Sequence, residues 1–297
     1  IFSKRNFKGL ALLAALGLLA FWLASAPRLS PASAIPAHTA NAANGQLLYN
    51  AGGCKSCHKA NPGVAGLDQN LPSGGAPFKT PLGILYPPNL TPDVETGIGA
   101  WSDIEFVNAV QRGISKDSQH LIPAFPYTSY AKMPVADVLD IRAYLMSLPP
   151  VASPRRDAGI PLAFILRRGL GLWKWIGLDT TAWTPDTTQS ERWNRGSYLV
   201  NGPGHCGECH TPRNLFMASD TSRFLMGGPH PEGVGKVPSL HKLIESKRYK
   251  DAADLVLAFQ NGESFGYEHM SAGGMGQVQS NLAKLPQADL EAIADYL

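Results

Sequence analysis

The sequence predicts a mainly α-helical protein made of two tandem copies of one domain, preceded by a hydrophobic N-terminal helix. Three observations predict this class. The 297 residues contain an internal repeat. Apolar residues within each repeat recur at helical spacing, and no alternating strand pattern of any length accompanies them. An uncharged apolar stretch follows the first basic residues. The hydrophobic fraction of 44% is high enough for packed cores.

The first element is an uncharged stretch of 18 residues, 9–26, which follows Lys4, Arg5 and Lys8. It is short for a membrane-spanning helix and long for a signal-peptide core. We expect residues 1–27 to form an uncleaved membrane anchor, with a cleaved signal peptide as the alternative. The positive-inside rule then predicts a protein of the cytoplasmic (inner) membrane with its domains on the periplasmic side. Residues 28–44, rich in Pro, Ala and Ser, predict a flexible linker.

Three matches in the same order define the internal repeat. Residues 45–54 resemble 196–206, residues 103–113 resemble 252–262, and residues 135–145 resemble 287–297. They predict one domain at residues 45–148, here called the first repeat, and another at residues 191–297, the second repeat. Each predicted terminal helix carries an apolar face, formed by Val138, Ile141, Tyr144 and Leu145 and by Leu290, Ile293, Tyr296 and Leu297.

Residues 149–190 are predicted to form an inter-domain linker. Its apolar segment, residues 160–177, is interrupted by Arg167, Arg168 and Lys174 and is too charged to cross a membrane. We expect a helix packed against both domains. The alternative is a helix that lies in the membrane interface, a region in which tryptophans such as Trp173 and Trp175 are common.

Each repeat begins with the motif C-x-x-C-H, which is typical of covalent haem attachment. Two thiols at this spacing can each bond to one side of a porphyrin, and the adjacent histidine then points at the iron. The sequence therefore predicts two covalently bound haem c groups. Loops at residues 86–93 and 236–240 are expected to cap the haem edges. The residues of the motifs are Cys54, Cys57 and His58, and Cys206, Cys209 and His210.

Two other uses of paired cysteines fit less well. A structural zinc site usually draws its ligands from one compact unit and does not need a histidine after each pair. Here the two pairs are separated by about half of the chain. A thioredoxin-like redox pair is expected in a βαβ context, which the sequence does not predict.

The sixth iron ligands are expected to be methionines, which electron carriers commonly use. Met133 is the choice in the first repeat, because it lies in an irregular loop just before the terminal helix, whereas Met146 lies at the end of that helix. His120 is the runner-up. In the second repeat Met275, within a glycine-rich loop, is preferred to the nearby Met270.

The composition argues against nucleic-acid binding, and the motifs favour electron transfer over catalysis. A net charge of +3 and a charged fraction of 16% give no basic stripe of the kind that binds nucleic acid. No acid–base constellation accompanies the two motifs, so the sequence favours an electron-transfer subunit without catalytic turnover of its own. The alternative is a dihaem peroxidase-like haem enzyme with one open iron position.

Several longer motifs carry a family resemblance over residues 45–297. Besides both C-x-x-C-H boxes, these are P-P-N-L-T-P-D at 87–93, F-P-Y-x-x-Y-A-K-M at 125–133, A-Y-L-M-S-L-P-P-V at 143–151 and G-G-M at 273–275. In these motifs the chain resembles the membrane-bound cytochrome c subunits of bacterial periplasmic dehydrogenases. Those subunits serve alcohol, gluconate and fructose dehydrogenases and some molybdenum hydroxylases.

The resemblance implies two tandem cytochrome c domains with His/Met haems, Met133 and Met275 standing at the matching places. It also implies electron flow from the catalytic subunit of a periplasmic dehydrogenase to quinone, a cytochrome bc complex or a terminal oxidase. The chain departs from the family in two respects: those subunits usually carry three haems, and their anchor is often C-terminal.

Overall fold

The computed structural model describes residues 4–80, 83–156, 163–230, 235–261 and 274–297. These residues are mainly helical, as the sequence predicts. The helices are α1 (Lys4–Ala24), α2 (Ala42–Ala51), α3 (Cys54–His58), α4 (Asp103–Arg112), α5 (Tyr127–Tyr130), α6 (Val135–Met146), α7 (Ala163–Gly177), α8 (Glu191–Asn201), α9 (Gly207–His210), α10 (Ala252–Asn261), α11 (Met275–Leu282) and α12 (Gln287–Tyr296).

Short elements complete the fold. Single 3₁₀ turns lie at Ala32–Ala34 and Thr221–Arg223. An antiparallel pair joins β1 (Phe78–Thr80) to β2 (Gly83–Leu85), and a second joins β3 (Gly228–Pro229) to β4 (Lys236–Val237). Strands of two or three residues are too short to show an alternating pattern, so they left no signal in the sequence.

Local sequence signals set several helix ends. At the start of α4, the Glu105 carboxylate accepts hydrogen bonds from the backbone N–H and the hydroxyl of Ser102, both at 2.8 Å. The same helix ends at Gly113, whose φ of 59° is the left-handed conformation that glycine adopts most readily. Helix α8 begins after Ser190, whose hydroxyl accepts from the Trp193 N–H at 3.0 Å.

One helix-packing arrangement occurs in both repeats. The first helix crosses the terminal helix, α2 against α6 and α8 against α12, and a glycine stands at each crossing. A Cβ atom on Gly45 would lie 1.9 Å from the Asp140 carbonyl oxygen, and one on Gly196 would lie 1.8 Å from that of Ala292. The backbones approach this closely because neither glycine carries a side chain.

The predicted apolar faces of the terminal helices are buried. Val138, Ile141 and Leu145 are buried in α6, and Leu290 and Ile293 are buried in α12. The remaining residues of the two predicted faces, Tyr144, Tyr296 and Leu297, are partly buried. The buried residues belong to one cluster that also draws on α2, α4, α8 and α10. The helical periodicity in the sequence therefore located the core correctly.

Helix α7 contacts both repeats, as expected of a packed linker helix. Lys174 Nζ donates to the carbonyl oxygens of Arg112 (2.6 Å) and Gly113 (2.8 Å) in the first repeat. Trp173 Nε1 donates to the Phe216 carbonyl oxygen in the second repeat at 2.9 Å.

The prediction of a membrane-spanning anchor at residues 1–27, with the rest on the periplasmic side of the cytoplasmic membrane, is wrong. Within the described residues, no helix has both the length and the apolar character that crossing a membrane requires. Helix α1 has 21 residues, but its first turns carry basic residues and it ends at Ala24, which leaves 16 uncharged helical residues at 9–24. A spanning helix needs about 20.

Candidate haem-attachment sites

The first C-x-x-C-H motif forms a single helical turn, α3, that places Cys54, Cys57 and His58 together. Gly53, with a φ of 56°, makes the sharp entry into this turn. His58 is buried, and its Nδ1 lies 2.8 Å from the carbonyl oxygen of Pro88. Pro88 belongs to the loop at residues 86–93, which we expect from the sequence to cap a haem edge.

The second motif repeats this arrangement around α9. His210 is buried, and its Nδ1 lies 2.8 Å from the carbonyl oxygen of Pro238, in the other predicted loop. The backbone carbonyls of the two histidines are also used alike. His58 O accepts from the Gly74 N–H at 2.9 Å, and His210 O accepts from the Gly227 N–H at 2.7 Å.

The proline carbonyls fix the chemical state of both histidines. A carbonyl oxygen only accepts, so Nδ1 carries the proton and Nε2 presents its lone pair. Burial lowers the pKa of His58 and of His210 below the ordinary value, although the hydrogen bond to the proline carbonyl opposes this shift. Each ring is therefore a neutral imidazole whose orientation is fixed by the hydrogen bond at Nδ1. Metal-binding histidines are usually held in this way.

The four cysteines form no disulfide. Burial raises the pKa of the Cys54 and Cys206 thiols to about 12, so these sulfurs resist ionisation. In the part of the chain that the structure describes, no group of three or more His, Cys, Asp or Glu side chains could hold a metal ion.

A buried polar atom in the first repeat also fits a bound haem. Ser73 is 1% exposed, and its hydroxyl has no hydrogen-bond partner among the described residues. It precedes Gly74, whose N–H contacts His58. A buried hydroxyl without a partner is unfavourable, and a polar group on a cofactor would satisfy it. Thiols, neutral histidines and this hydroxyl together suit a covalently attached haem.

The two predicted methionine ligands do not occupy equivalent places. Residues 130–134 read Y-A-K-M-P and residues 282–286 read L-A-K-L-P. Met133 N donates to Tyr130 O at 3.0 Å, and Leu285 N donates to Leu282 O at 2.8 Å, so the two turns match in the backbone as well. Met133, 1% exposed, thus stands where the second repeat has the core residue Leu285.

Met275 is differently placed, since it is the first residue of α11, ahead of the turn that contains Leu285. It is partly buried. Met270, the less favoured choice, lies outside the described residues. The signal that separates Met133 from Met275, the match between Y-A-K-M-P and L-A-K-L-P, was present in the sequence.

His120, the runner-up ligand, is engaged elsewhere. Its Nε2 lies 2.9 Å from the Ser25 carbonyl oxygen, and its Nδ1 accepts from Lys174 Nζ at 3.2 Å. Both ring nitrogens are used in attaching α7 and the end of α1 to the first repeat, so the structure gives this histidine a structural role.

Contacts between the repeats at the two motifs were not anticipated from the sequence. Asn281 Nδ2 donates to Ser56 Oγ at 2.7 Å, and Ser129 Oγ donates to Glu208 Oε1 at 2.8 Å. Ser56 and Glu208 are the third residues of their C-x-x-C-H turns. Each turn is therefore held by a side chain from the other repeat.

Comparison with known proteins agrees with this geometry. A family profile described as "Cytochrome c" matches residues 42–149. The chain is 39% identical over 292 residues to a "Diheme cytochrome c-type" protein of Cereibacter sphaeroides, a match that covers 97% of this chain and 95% of that protein. The chain belongs to the dihaem c-type cytochrome family. This cytochrome accordingly binds haem c covalently and is an electron-transfer component.

Two other relatives are subunits of larger complexes. The cytochrome is 38% identical to one of the subunits of nicotinate dehydrogenase from Pseudomonas putida, over 96% of this chain and 24% of that protein. It is 34% identical to the fructose dehydrogenase cytochrome subunit of Gluconobacter japonicus, over 90% of this chain and 54% of that protein. The chain therefore spans about half or less of the length of these relatives.

Proposed function

We propose that this cytochrome carries two haems, one in each repeat, and passes electrons from the catalytic subunit of a dehydrogenase to a downstream acceptor. The observation that carries the proposal is the arrangement found twice: a C-x-x-C-H turn whose histidine is buried, neutral and hydrogen-bonded through Nδ1 to a proline carbonyl. Relatives named as cytochrome subunits of dehydrogenases support the kind of partner.

The described residues have distinct tasks in each site. Cys54 and Cys57, and likewise Cys206 and Cys209, supply the sulfurs for attachment. His58 and His210 would bind the iron through Nε2, and the proline carbonyls keep each ring oriented and its Nδ1 protonated. A bound haem c supplies one-electron redox chemistry at its iron. Each repeat is then one cytochrome c domain, at residues 45–148 and 191–297.

For the second haem we propose Met275 as the sixth ligand. For the first haem, the sequence proposes Met133 as the sixth ligand. The second repeat has the buried core residue Leu285 at the equivalent position, which favours a packing role for Met133 instead. Met133→Leu separates the two roles. If Met133 binds iron, the variant loses one low-spin haem signal. If it is a core residue, the haem spectra of the variant match those of the wild type and only stability falls.

The acceptor is proposed as a quinone, a cytochrome bc complex or a terminal oxidase. A histidine and a methionine bound to each iron would favour outer-sphere electron transfer over substrate chemistry, which agrees with a carrier between two larger enzymes.

The test is reduction of the cytochrome by its partner. The tagged holoprotein is purified from its native host, and a co-purifying large subunit is identified. Adding that subunit's substrate should reduce both haems in a stopped-flow spectrum, and the subunit without the cytochrome should fail to reduce the acceptor. A complex in which substrate reduces neither haem would contradict the proposal.

A further inference from the structure

Glu208, in the second C-x-x-C-H turn, is a largely buried carboxylate that contacts the first repeat. Its side chain is 14% exposed. Ser129 Oγ donates to Oε1 at 2.8 Å, and the Thr128 hydroxyl donates to the same oxygen. On the other side Arg213 Nη2 donates to Oε2 at 2.9 Å. Three donors, two of them from the other repeat, therefore surround this carboxylate.

The equivalent contact at the first motif uses neutral groups. Ser56 occupies the position of Glu208, and Asn281 Nδ2 donates to its hydroxyl at 2.7 Å. Ser129 and Asn281 correspond, because they directly precede the matching segments 130–134 and 282–286. The two contacts are thus related by an approximate two-fold symmetry. They involve equivalent positions, but the first motif has a neutral serine where the second has a carboxylate.

This difference shows that one of the two inter-repeat contacts forms without a charged group. The serine and asparagine at the first motif make the same inter-repeat contact without an ion. Burying a carboxylate is unfavourable unless neighbouring charges and hydrogen bonds compensate the loss of hydration. The second turn keeps one nonetheless, directly before Cys209 and two residues before His210.

We propose that Glu208 lowers the reduction potential of the second haem and that Thr128 and Ser129 of the first repeat set the size of this effect. Negative charge near a haem stabilises the ferric form over the ferrous form, and hydrogen bonds to that charge weaken its influence. The inference rests on the proposed function in one respect, that the second turn carries a haem.

Arg213 does not cancel the effect of removing the carboxylate. Its guanidinium also donates to Ser219 Oγ at 2.7 Å and to the Glu208 backbone oxygen at 2.5 Å. These partners remain when the carboxylate is neutralised, so its positive charge stays in place. Loss of the negative charge at residue 208 then favours the ferrous haem.

The experiment is a spectroelectrochemical titration of the full-length holoprotein. Glu208→Gln should move one of the two midpoint potentials upward and leave the other unchanged. We expect about a tenfold change in the ferric–ferrous equilibrium, which for one electron is about 59 mV. Glu208→Asp, which keeps the charge, should restore most of the original value. Ser56→Ala, at the symmetric position, should move neither potential.

A second variant keeps the inference testable if Glu208→Gln does not fold. Thr128→Val combined with Ser129→Ala keeps Glu208 but removes two donors, so the same potential should move downward. A merely structural role predicts no shift in Glu208→Gln, or equal shifts in both haems, and either result overturns the inference. The potentials are measured without a partner, so failure to find a dehydrogenase leaves this test intact, whereas absence of attached haem refutes the proposed function.

Discussion

At the scale of single residues, the histidines of the two motifs explain how the chain prepares a site for iron. A neutral imidazole that is to bind iron through Nε2 carries its proton on Nδ1, which needs a hydrogen-bond acceptor. A proline carbonyl provides that acceptor at 2.8 Å in both repeats. Because the carbonyl belongs to the backbone, this support depends on the path of the loop and not on a replaceable side chain.

Met275 gives a prediction at the residue scale. Met275→Leu removes the proposed sixth ligand of one haem and keeps the apolar volume, so one low-spin haem should become high-spin and bind carbon monoxide after reduction. Absorption and electron paramagnetic resonance spectra measure this change. Met217→Leu is the matched control in the same repeat, because Met217 is 66% exposed. Two unaltered low-spin haems in Met275→Leu would rule out this ligand.

At the scale of elements, close helix crossings hold each repeat together. The glycines at these crossings allow α2 to lie against α6 and α8 against α12, and aromatic rings pack beside them. Tyr49 and Tyr144 have ring centroids 5.1 Å apart, and Trp193 and Tyr296 have centroids 5.0 Å apart. The first pair is tilted and the second is edge-to-face, and both add to the apolar burial of the terminal helices.

Gly196→Ala tests the crossing. A methyl group 1.8 Å from the Ala292 carbonyl oxygen forces α8 and α12 apart, so the free energy of unfolding should fall by about 1–3 kcal/mol. Gly169→Ala on α7 is the control, because a Cβ there meets no atom within 4 Å. It should be neutral or stabilising by up to about 1 kcal/mol, since alanine favours helix more than glycine. Denaturant unfolding of both holoproteins measures the difference, and equal losses would count against the crossing.

Because Lys174 attaches α7 to the first repeat, its protonation should make the stability of the protein depend on pH. Burial lowers the pKa of Lys174 from 10.5 to about 7. Between these values the unfolded chain binds one more proton at this site than the folded chain does, so stability rises with pH. The slope is at most about 1.4 kcal/mol per pH unit. His120 and Tyr127 also face the amine.

Lys174→Met isolates this contribution, because it keeps the length of the side chain and removes the ionisable group. Thermal unfolding of both proteins is compared between pH of about 7 and 10.5. The stability of the wild type should rise relative to that of the variant across this window. Parallel curves would show that Lys174 keeps its ordinary pKa in the folded protein.

The sequence predicted the mainly helical class and the buried faces of α6 and α12, because periodicity records which side of a helix is buried. It predicted α7 as a packed linker helix because charged residues interrupt its apolar segment. It did not predict the span of the first helix correctly, since hydrophobicity alone does not determine where a helix ends. Nor did it predict the contact of Glu208 with Ser129, because a contact between distant segments leaves no local pattern.

At the scale of the whole molecule, the approximate two-fold relation between the repeats brings each C-x-x-C-H turn against the other repeat. The Gly52 carbonyl oxygen, beside the first turn, accepts from the Tyr130 hydroxyl and from His205 Nε2 of the second repeat, both at 3.2 Å. The proposed passage of electrons from one repeat to the next is consistent with two haem-attachment turns that lie at one interface.

The central claim is that one chain holds two covalently attached haems, one at each motif. Intact mass spectrometry of the protein, produced with haem-attachment machinery, measures this most directly. The account predicts the mass of the polypeptide plus two haems, and the mass with one haem for Cys206→Ala combined with Cys209→Ala. A wild-type chain that carries a single haem, or a double variant that still carries two, would contradict it.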